Sequence, residues 1–169
     1  MKPRILTICN QKGGVGKTTT AVNLAACLAA AEKKVLLIDL DPQGNATSGV
    51  GIDKRAVAAS SYQLITTDAI GASLVCPTEI PSLSVVPAAA DLVGAEIELT
   101  GIDARETQLR RALQGCFLEY DYIFIDCPPS LGLLTVNAIA AASEVLVPIQ
   151  CEYYALEGLG QLLRNVDLV

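Results

Sequence analysis

The apolar positions of this chain come in short runs separated by glycine, proline and charged turns, and the runs predict alternating strands and helices. Ile5 to Cys9 is brief, rich in β-branched residues and followed by a glycine-rich turn, which reads as a buried strand. The Ala-rich segment Thr18 to Ala31 that comes next reads as a helix. Glu32, Lys33 and Lys34 form a charged turn before Val35 to Ile38, a second buried strand ending in Asp39. The helix between them would return the chain as a right-handed crossover, the usual connection between parallel neighbours. Asp41 to Gly51 carries Pro42, Gly44, Asn45, Gly49 and Gly51 and reads as a loop. Ala56 to Ile65 has the composition of a short helix, Thr66 to Ser82 carries little signal, and Leu83 to Val86 is a further strand. Two helical segments, Leu92 to Leu99 and Ala104 to Leu118, lie either side of Gly101. Tyr122 to Ile125 is the clearest central strand, with Asp126 at its C-terminal end before the Pro128-Pro129 break. A helix over Leu133 to Ala142, a strand over Val145 to Ile149 and a terminal helix over Ala155 to Val166 complete the pattern.

Repeated strand-helix alternation predicts a three-layer α/β/α sandwich around a mainly parallel sheet, with no internal repeat or low-complexity linker competing. At 169 residues the expectation is one domain spanning 1–169. Hydrophobic residues make up 51% of the chain while Trp is absent and Phe occurs twice, so the interior must be filled by Ala, Val, Leu and Ile. That composition suits a parallel sheet clothed by Ala-rich helices. The formal net charge of -6 argues against non-specific nucleic-acid binding by the chain as given. The basic pairs Lys33-Lys34, Lys54-Arg55 and Arg110-Arg111 are separated and flanked by acids, and read as solvated surface.

Histidine is absent, which excludes an imidazole base or metal ligand, and six cysteines without a CxxC pair give no structural zinc pattern. Cys9 and Cys127 flank the segments discussed next; redox control there competes with the plainer reading of small buried residues in a reducing compartment. Met1 to Asn10 is a short mixed strand, and no uninterrupted apolar stretch reaches the roughly 18 residues of a spanning helix. Neither a secretory signal nor a membrane span is expected.

Between the first strand and the first helix stands Lys12-Gly13-Gly14-Val15-Gly16-Lys17-Thr18-Thr19. Its glycines let the backbone curl so that successive N–H groups point at phosphate oxygens, and the helix N-terminus adds a favourable dipole. Lys17 would set its ammonium between the β- and γ-phosphates of a nucleoside triphosphate. Thr18 would offer a hydroxyl to magnesium, and Thr19 could bind the α-phosphate. The pattern GxxxxGK[ST] calls for glycine at position 11, where this chain has Gln11; the strand-loop-helix setting and the GKTT run compensate. The segment itself gives an ATP-binding set of Gly13, Gly14, Val15, Gly16, Lys17, Thr18 and Thr19, while Lys12 at its entrance could be simply solvated.

Three acids complete the candidate chemistry. Asp39 and Asp41 follow the second strand, and carboxylates at a parallel strand's C-terminal edge project toward the crevice where the first loop lies. Residue chemistry alone lets either of them serve magnesium while the other serves the attacking water. Asp126 ends the run Ile123-Phe124-Ile125 in a Walker B arrangement, where its carboxylate could hold magnesium through water. Pro128-Pro129 would keep the following segment out of regular structure. Acids that merely terminate apolar strands are the plainer alternative. Catalysis would align water with the γ-phosphorus and stabilise the transferring oxygens through Lys17, Lys12, backbone amides and magnesium.

Lys12, a second lysine at the loop entrance, makes this segment resemble the deviant Walker A class of P-loop ATPases. KGGVGKTTTAVNLAA, DLDPQGNATSG and DYIFIDCPPSLGLLTVNA together resemble the ParA/Soj partitioning family, and ADLVGAEIEL and VLVPIQCEYYALEGL extend the similarity over almost the whole chain. DPQGNAT favours this branch over the MinD-like one. The resemblance implies a P-loop NTPase fold and an Mg2+- and ATP-dependent switch in chromosome or plasmid partitioning. It implies a catalytic set of Lys12, Lys17 and Asp41, with Lys12 reaching across a nucleotide-sandwich homodimer and Asp41 organising the attacking water. Magnesium would be served by Thr18, Asp39 and Asp126. A ParB-like activator, non-specific DNA in the complete protein and a cytoplasmic, nucleoid-associated location without a membrane follow from the same resemblance. Family members continue past the equivalent of Val169 with further sheet and helix elements, so the C-terminal part of the complete fold is expected to be missing here. Two other functions compete: a nucleotide-binding or partner-binding remnant without turnover, and a MinD-like membrane-positioning ATPase, for which Gln161 to Val169 is too short and too weakly basic.

Overall fold

A strand covered on both faces must be apolar at consecutive positions, and Val35-Leu36-Leu37-Ile38 meets that condition by being wholly buried. It belongs to β2 (Val35–Asp39) in a computed structural model that describes residues 2–67, 71–151, 160 and 162–164. The other strands are β1 (Arg4–Ile8), β3 (Cys76–Pro77), β4 (Leu83–Val86), β5 (Tyr122–Asp126) and β6 (Glu144–Leu146). Their order across the sheet is β3-β4-β2-β5-β1-β6, parallel throughout except for the antiparallel β3-β4 pair.

Alternate residues of each strand feed two separate apolar layers. On one side Val35 and Leu37 of β2 and Phe124 of β5 meet α1 (Lys17–Ala30) and α2 (Asn45–Gly49). Ala21, Ala25 and Ala29 of α1 are buried at four-residue spacing, a methyl stripe that lets the helix axis lie close to the sheet. On the other side Leu36, Ile38, Ile123 and Ile125 meet α3 (Ser61–Thr66), α4 (Leu92–Leu99), α5 (Gln108–Leu113) and α6 (Leu133–Ala141). The expected three-layer α/β/α sandwich is the observed one.

Several elements depart from the sequence reading. β1 and β2 are not neighbours: β5, whose Ile123-Phe124-Ile125 centre is buried on both faces, lies between them. The expected loop Asp41–Gly51 contains the short helix α2, which Gly44 opens at φ 62°. In place of a helix over Ala56–Ile65, α3 starts only at Ser61, where a capping box sets the first turn: the Ser60 N–H donates to Gln63 Oε1 at 2.7 Å and the Tyr62 N–H to Ser60 Oγ at 3.2 Å. The segment Ala104–Leu118 divides into a 3-10 turn at Arg105–Thr107 and the shorter α5, after which Gly115 (φ 77°) and Phe117 (φ 60°) turn the chain. The weakly marked stretch Thr66–Ser82 supplies β3. β6 ends at Leu146, short of Ile149, ahead of Pro148, which has no N–H for a ladder. Residues 160 and 162–164 are helical; the rest of the expected terminal helix Ala155–Val166 lies outside the described residues.

The alanine stripe is directly testable. Ala25 is fully buried in the layer that holds Leu37 and Phe124, so Ala25→Leu should overpack it and lower stability by about 1–3 kcal/mol, read as a reduced urea midpoint.

Candidate active site

The register that orders the sheet also gathers charge at one edge. Ile8 of β1 lies opposite Asp126 of β5, and Asp126 lies opposite Asp39 of β2, so three strand ends sit side by side at spacings of about 4.8 Å. The ladder continues past the strands: the Leu40 N–H donates to the Asp126 carbonyl at 2.9 Å and the Cys127 N–H to the Ile8 carbonyl at 3.2 Å.

The chain leaving β1 curls over this edge. Gly14 (φ 74°) and Gly16 (φ 90°) occupy the left-handed region, and Gly16 is the residue from which α1 springs. A Cβ built at Gly13, Gly14 or Gly16 would meet no heavy atom within 4 Å, so the glycines border open space. α1 begins with no side-chain cap and no acidic residue in its first turn, which leaves its N-terminal N–H groups and dipole to an incoming anion. Gly13, Gly14, Gly16, Lys17, Thr18 and Thr19 line one wall of a cleft of about 360 Å³; Asp41, Gln43, Asn45 and Pro129 line the rest.

Lys17 is 6% exposed and donates from Nζ to the Lys12 carbonyl at 3.0 Å. Burial lowers its pKa, and the negative charges of Asp126 and Asp41 oppose that shift. Lys12 itself is exposed; its side chain and that of Val15 do not line the cleft, although the Lys12 N–H is fixed by Asn10 Oδ1 at 3.0 Å.

The three acids differ sharply. Asp39 is saturated: Oδ1 accepts the Asp41 N–H at 3.1 Å, and Oδ2 accepts both the Thr47 N–H at 2.8 Å and the Thr47 hydroxyl at 2.7 Å. Burial pushes its pKa up to about 6 against the pull of those Thr47 and Asp41 donors. It does not line the cleft; it ties the Asp41 turn to α2 and, because Thr47 Oγ1 accepts the Ala88 N–H at 2.9 Å, to the chain after β4. Asp41 does line the cleft, with Oδ1 accepting the Gln43 N–H at 2.9 Å. Asp126 is fully buried, and among the described residues neither of its oxygens has a hydrogen-bond partner. Burial raises its pKa to about 7. The nearby Thr18 hydroxyl opposes that rise without reaching bonding geometry, Asp39 and Asp41 add to it, and Lys17 reduces it.

Such an orphaned pair of buried oxygens fits a hard cation. Among the described residues no group of three His, Cys, Asp or Glu side chains could hold a metal ion. A cation placed there would draw on the Asp126 carboxylate and the nearby Thr18 hydroxyl, and would take its remaining ligands from phosphate and water oxygens. Cys9 and Cys127 are fully buried; desolvation pushes the Cys9 thiol up to about 11 and the Cys127 thiol well above its ordinary value, which keeps both protonated and unreactive.

Sequence reasoning missed the braces of this site. Asn10 Nδ2 donates to the Pro148 carbonyl at 2.8 Å and Gln150 Nε2 to the Gly14 carbonyl at 3.2 Å, so the chain after β6 holds the glycine loop from behind. Gln43 and Asn45 belong to a segment already singled out, and a polar residue beside Asp41 was signal enough. Thr47 gave none, since its value lies in partners remote in sequence.

The chain matches the family AAA_31, an AAA domain, over residues 3–169. It is 60% identical over 166 residues to the chromosome partitioning protein ParA of Myxococcus xanthus, covering 98% of this chain and 59% of that protein. It is 57% identical over 166 residues to the sporulation initiation inhibitor protein Soj of Bacillus subtilis, covering 98% of this chain and 66% of that one. The chain thus spans about three-fifths to two-thirds of the length of these curated relatives. Among solved structures, the cobyrinic acid a,c-diamide synthase of Mycobacterium smegmatis with bound ATP analogue and magnesium superimposes with a TM-score of 0.93 at 42% identity, covering 99% of this chain and 68% of that chain.

The buried acids predict a pH dependence. The folded-state pKa of Asp126, about 7, lies above the unfolded value of about 3.9, so the unfolded chain releases its proton first as pH rises. Without metal and nucleotide, stability should fall between about pH 4 and about pH 7 and then level off, the whole decline amounting to at most about 4 kcal/mol. Asp39 adds a smaller fall in the same direction. Urea midpoints across this range should show the decline, and Asp126→Asn should remove most of it.

Proposed function

This chain belongs to the ParA/Soj family of partitioning ATPases, and on that premise we propose that it binds Mg-ATP in the cleft between the glycine loop and Asp41, and hydrolyses it as a dimerising switch in DNA partitioning. The observation that carries this reading is the unpartnered Asp126 carboxylate beneath a glycine cradle that Lys17 and Thr18 share.

In this reading Gly13 to Thr19 bind the phosphates through backbone N–H groups, and Lys17 exchanges the Lys12 carbonyl for phosphate oxygens. Thr18 and Asp126 would hold magnesium, which would supply neutralisation of charge on the phosphate oxygens. Asp41, at the opposite wall, orients the attacking water. Asp39 enters as the support that fixes the Asp41 turn, since all its bonds run to that turn and to Thr47. Lys12, exposed and outside the lining of the chain's own cleft, serves the nucleotide of a second copy in this reading. A ParB-like activator and non-specific DNA complete the proposed cycle.

Phosphate release in Mg-ATP should fall by roughly 10²- to 10⁴-fold in Asp41→Ala while nucleotide binding persists. Lys17→Ala should lose nucleotide binding itself. Lys12→Ala should keep monomer binding but lose ATP-dependent dimerisation in sedimentation velocity. Wild-type turnover by Asp41→Ala, or a folded chain that binds no ATP, would overturn the proposal. Tight binding without turnover by the unmodified chain would favour the non-hydrolysing alternative.

A further inference from the structure

The net charge of this protein is not spread over it. Between Arg55 and Arg105 there is no lysine or arginine, but there are six acids, Asp68, Glu79, Asp91, Glu96, Glu98 and Asp103. The chain has 18 acidic and 12 basic residues, so the rest of it carries 12 of each and the whole formal charge of -6 resides in residues 56–104. α3 and α4 stand together within this stretch: the Tyr62 hydroxyl donates to Glu98 at 2.8 Å and the Ser60 hydroxyl to Asp91 at 3.1 Å.

On the outer face of α4 this acidic region holds large apolar side chains. Val93 and Ile97, four residues apart and therefore one above the other, are 63% and 74% exposed. Gly94 between them adds no side chain, so the pair forms a low apolar ridge. Glu96 and Glu98 flank it. Glu96 Oε1 is buried against Gly132, just ahead of α6, with no hydrogen-bond partner among the described residues, and a Cβ at position 132 would collide with it. A carboxylate held in that way gains from any cation brought alongside.

From these observations we infer that α4 is the docking surface for a basic amphipathic segment of a protein partner. Its apolar side chains cover Val93 and Ile97, and its lysines or arginines lie beside Glu96 and Glu98. Apolar anchors supply the affinity, and the opposed charges supply the orientation and fast encounter. A second copy of this chain is a poorer occupant, because the same face would bring Glu96 and Glu98 against their own equivalents. The surface uses no cleft residue, so its test stands apart from that of ATP turnover.

A synthetic Leu/Lys helical peptide with leucines at i, i+3, i+4 and i+7 spacing is the probe, titrated into the full chain at about 150 mM salt and followed by amide chemical shifts. The expected shifts centre on residues 91–103. Val93→Ser with Ile97→Ser, and separately Val93→Lys, should weaken binding at least tenfold. Leu118→Ser, at an exposed apolar side chain beside Lys2, should leave it unchanged. A Leu/Glu peptide of the same spacing should not bind. Equal binding by a Lys/Leu peptide with scattered leucines would reduce the effect to bulk charge and sink the proposal. So would shifts centred elsewhere, unaltered binding by the folded double variant, or a change in the protein's own sedimentation on mutating Val93 and Ile97.

Discussion

Parallel strands ending level with one another force their terminal side chains together, and here those side chains are carboxylates. With β5 between β1 and β2, Asp126 and Asp39 become cross-strand neighbours in a part of the protein that water does not reach. Two like charges at strand spacing cannot both ionise cheaply, and the fold relieves them differently. Asp39 receives three donors from its own and the next element. Asp126 receives none and depends on the lysine and the hydroxyl that the glycine loop carries across from β1. The loop's position, the sheet order and the division of labour between two chemically identical residues follow from that one juxtaposition.

The rest of the molecule keeps this edge in place. Two apolar layers, drawing on alternate residues of the same strands, grip the sheet from both sides. The alanine stripe on α1 brings that helix close, and with it the N–H groups of its first turn, which no side chain caps. Because a buried, uncompensated carboxylate opposes folding, anything that compensates it stabilises the folded state by mass action. Ligand affinity and fold stability are then parts of one free-energy difference.

Local signals in the sequence were enough for the fold class and the family. An apolar run, three glycines, GKTT and an Ala-rich helix are contiguous, and the DPQGNAT and DCPPS segments each follow a recognisable strand. Those signals also select the residues found together at the cleft, Lys17, Thr18, Thr19 and Asp41. What stayed hidden depends on distance along the chain. No local pattern says that β5 enters between β1 and β2, or that a hydroxyl eight residues beyond Asp39 will occupy its carboxylate. Without that bond Asp39 and Asp126 look equivalent. β3 is two residues long and leaves no period to read.

The Lys17 ammonium, bonded to the carbonyl of Lys12, makes the glycine loop hold its own shape. The carbonyl acts as an internal stand-in for an anion, spanning the loop from its first residue to its last. That bond already fixes the ammonium within the loop, which lowers the ordering entropy that capture of an anion would cost. In the proposed role, recognition is an exchange of one acceptor for another around a fixed cation, with selectivity set by how much better a guest's oxygens serve that ammonium than a single peptide carbonyl does.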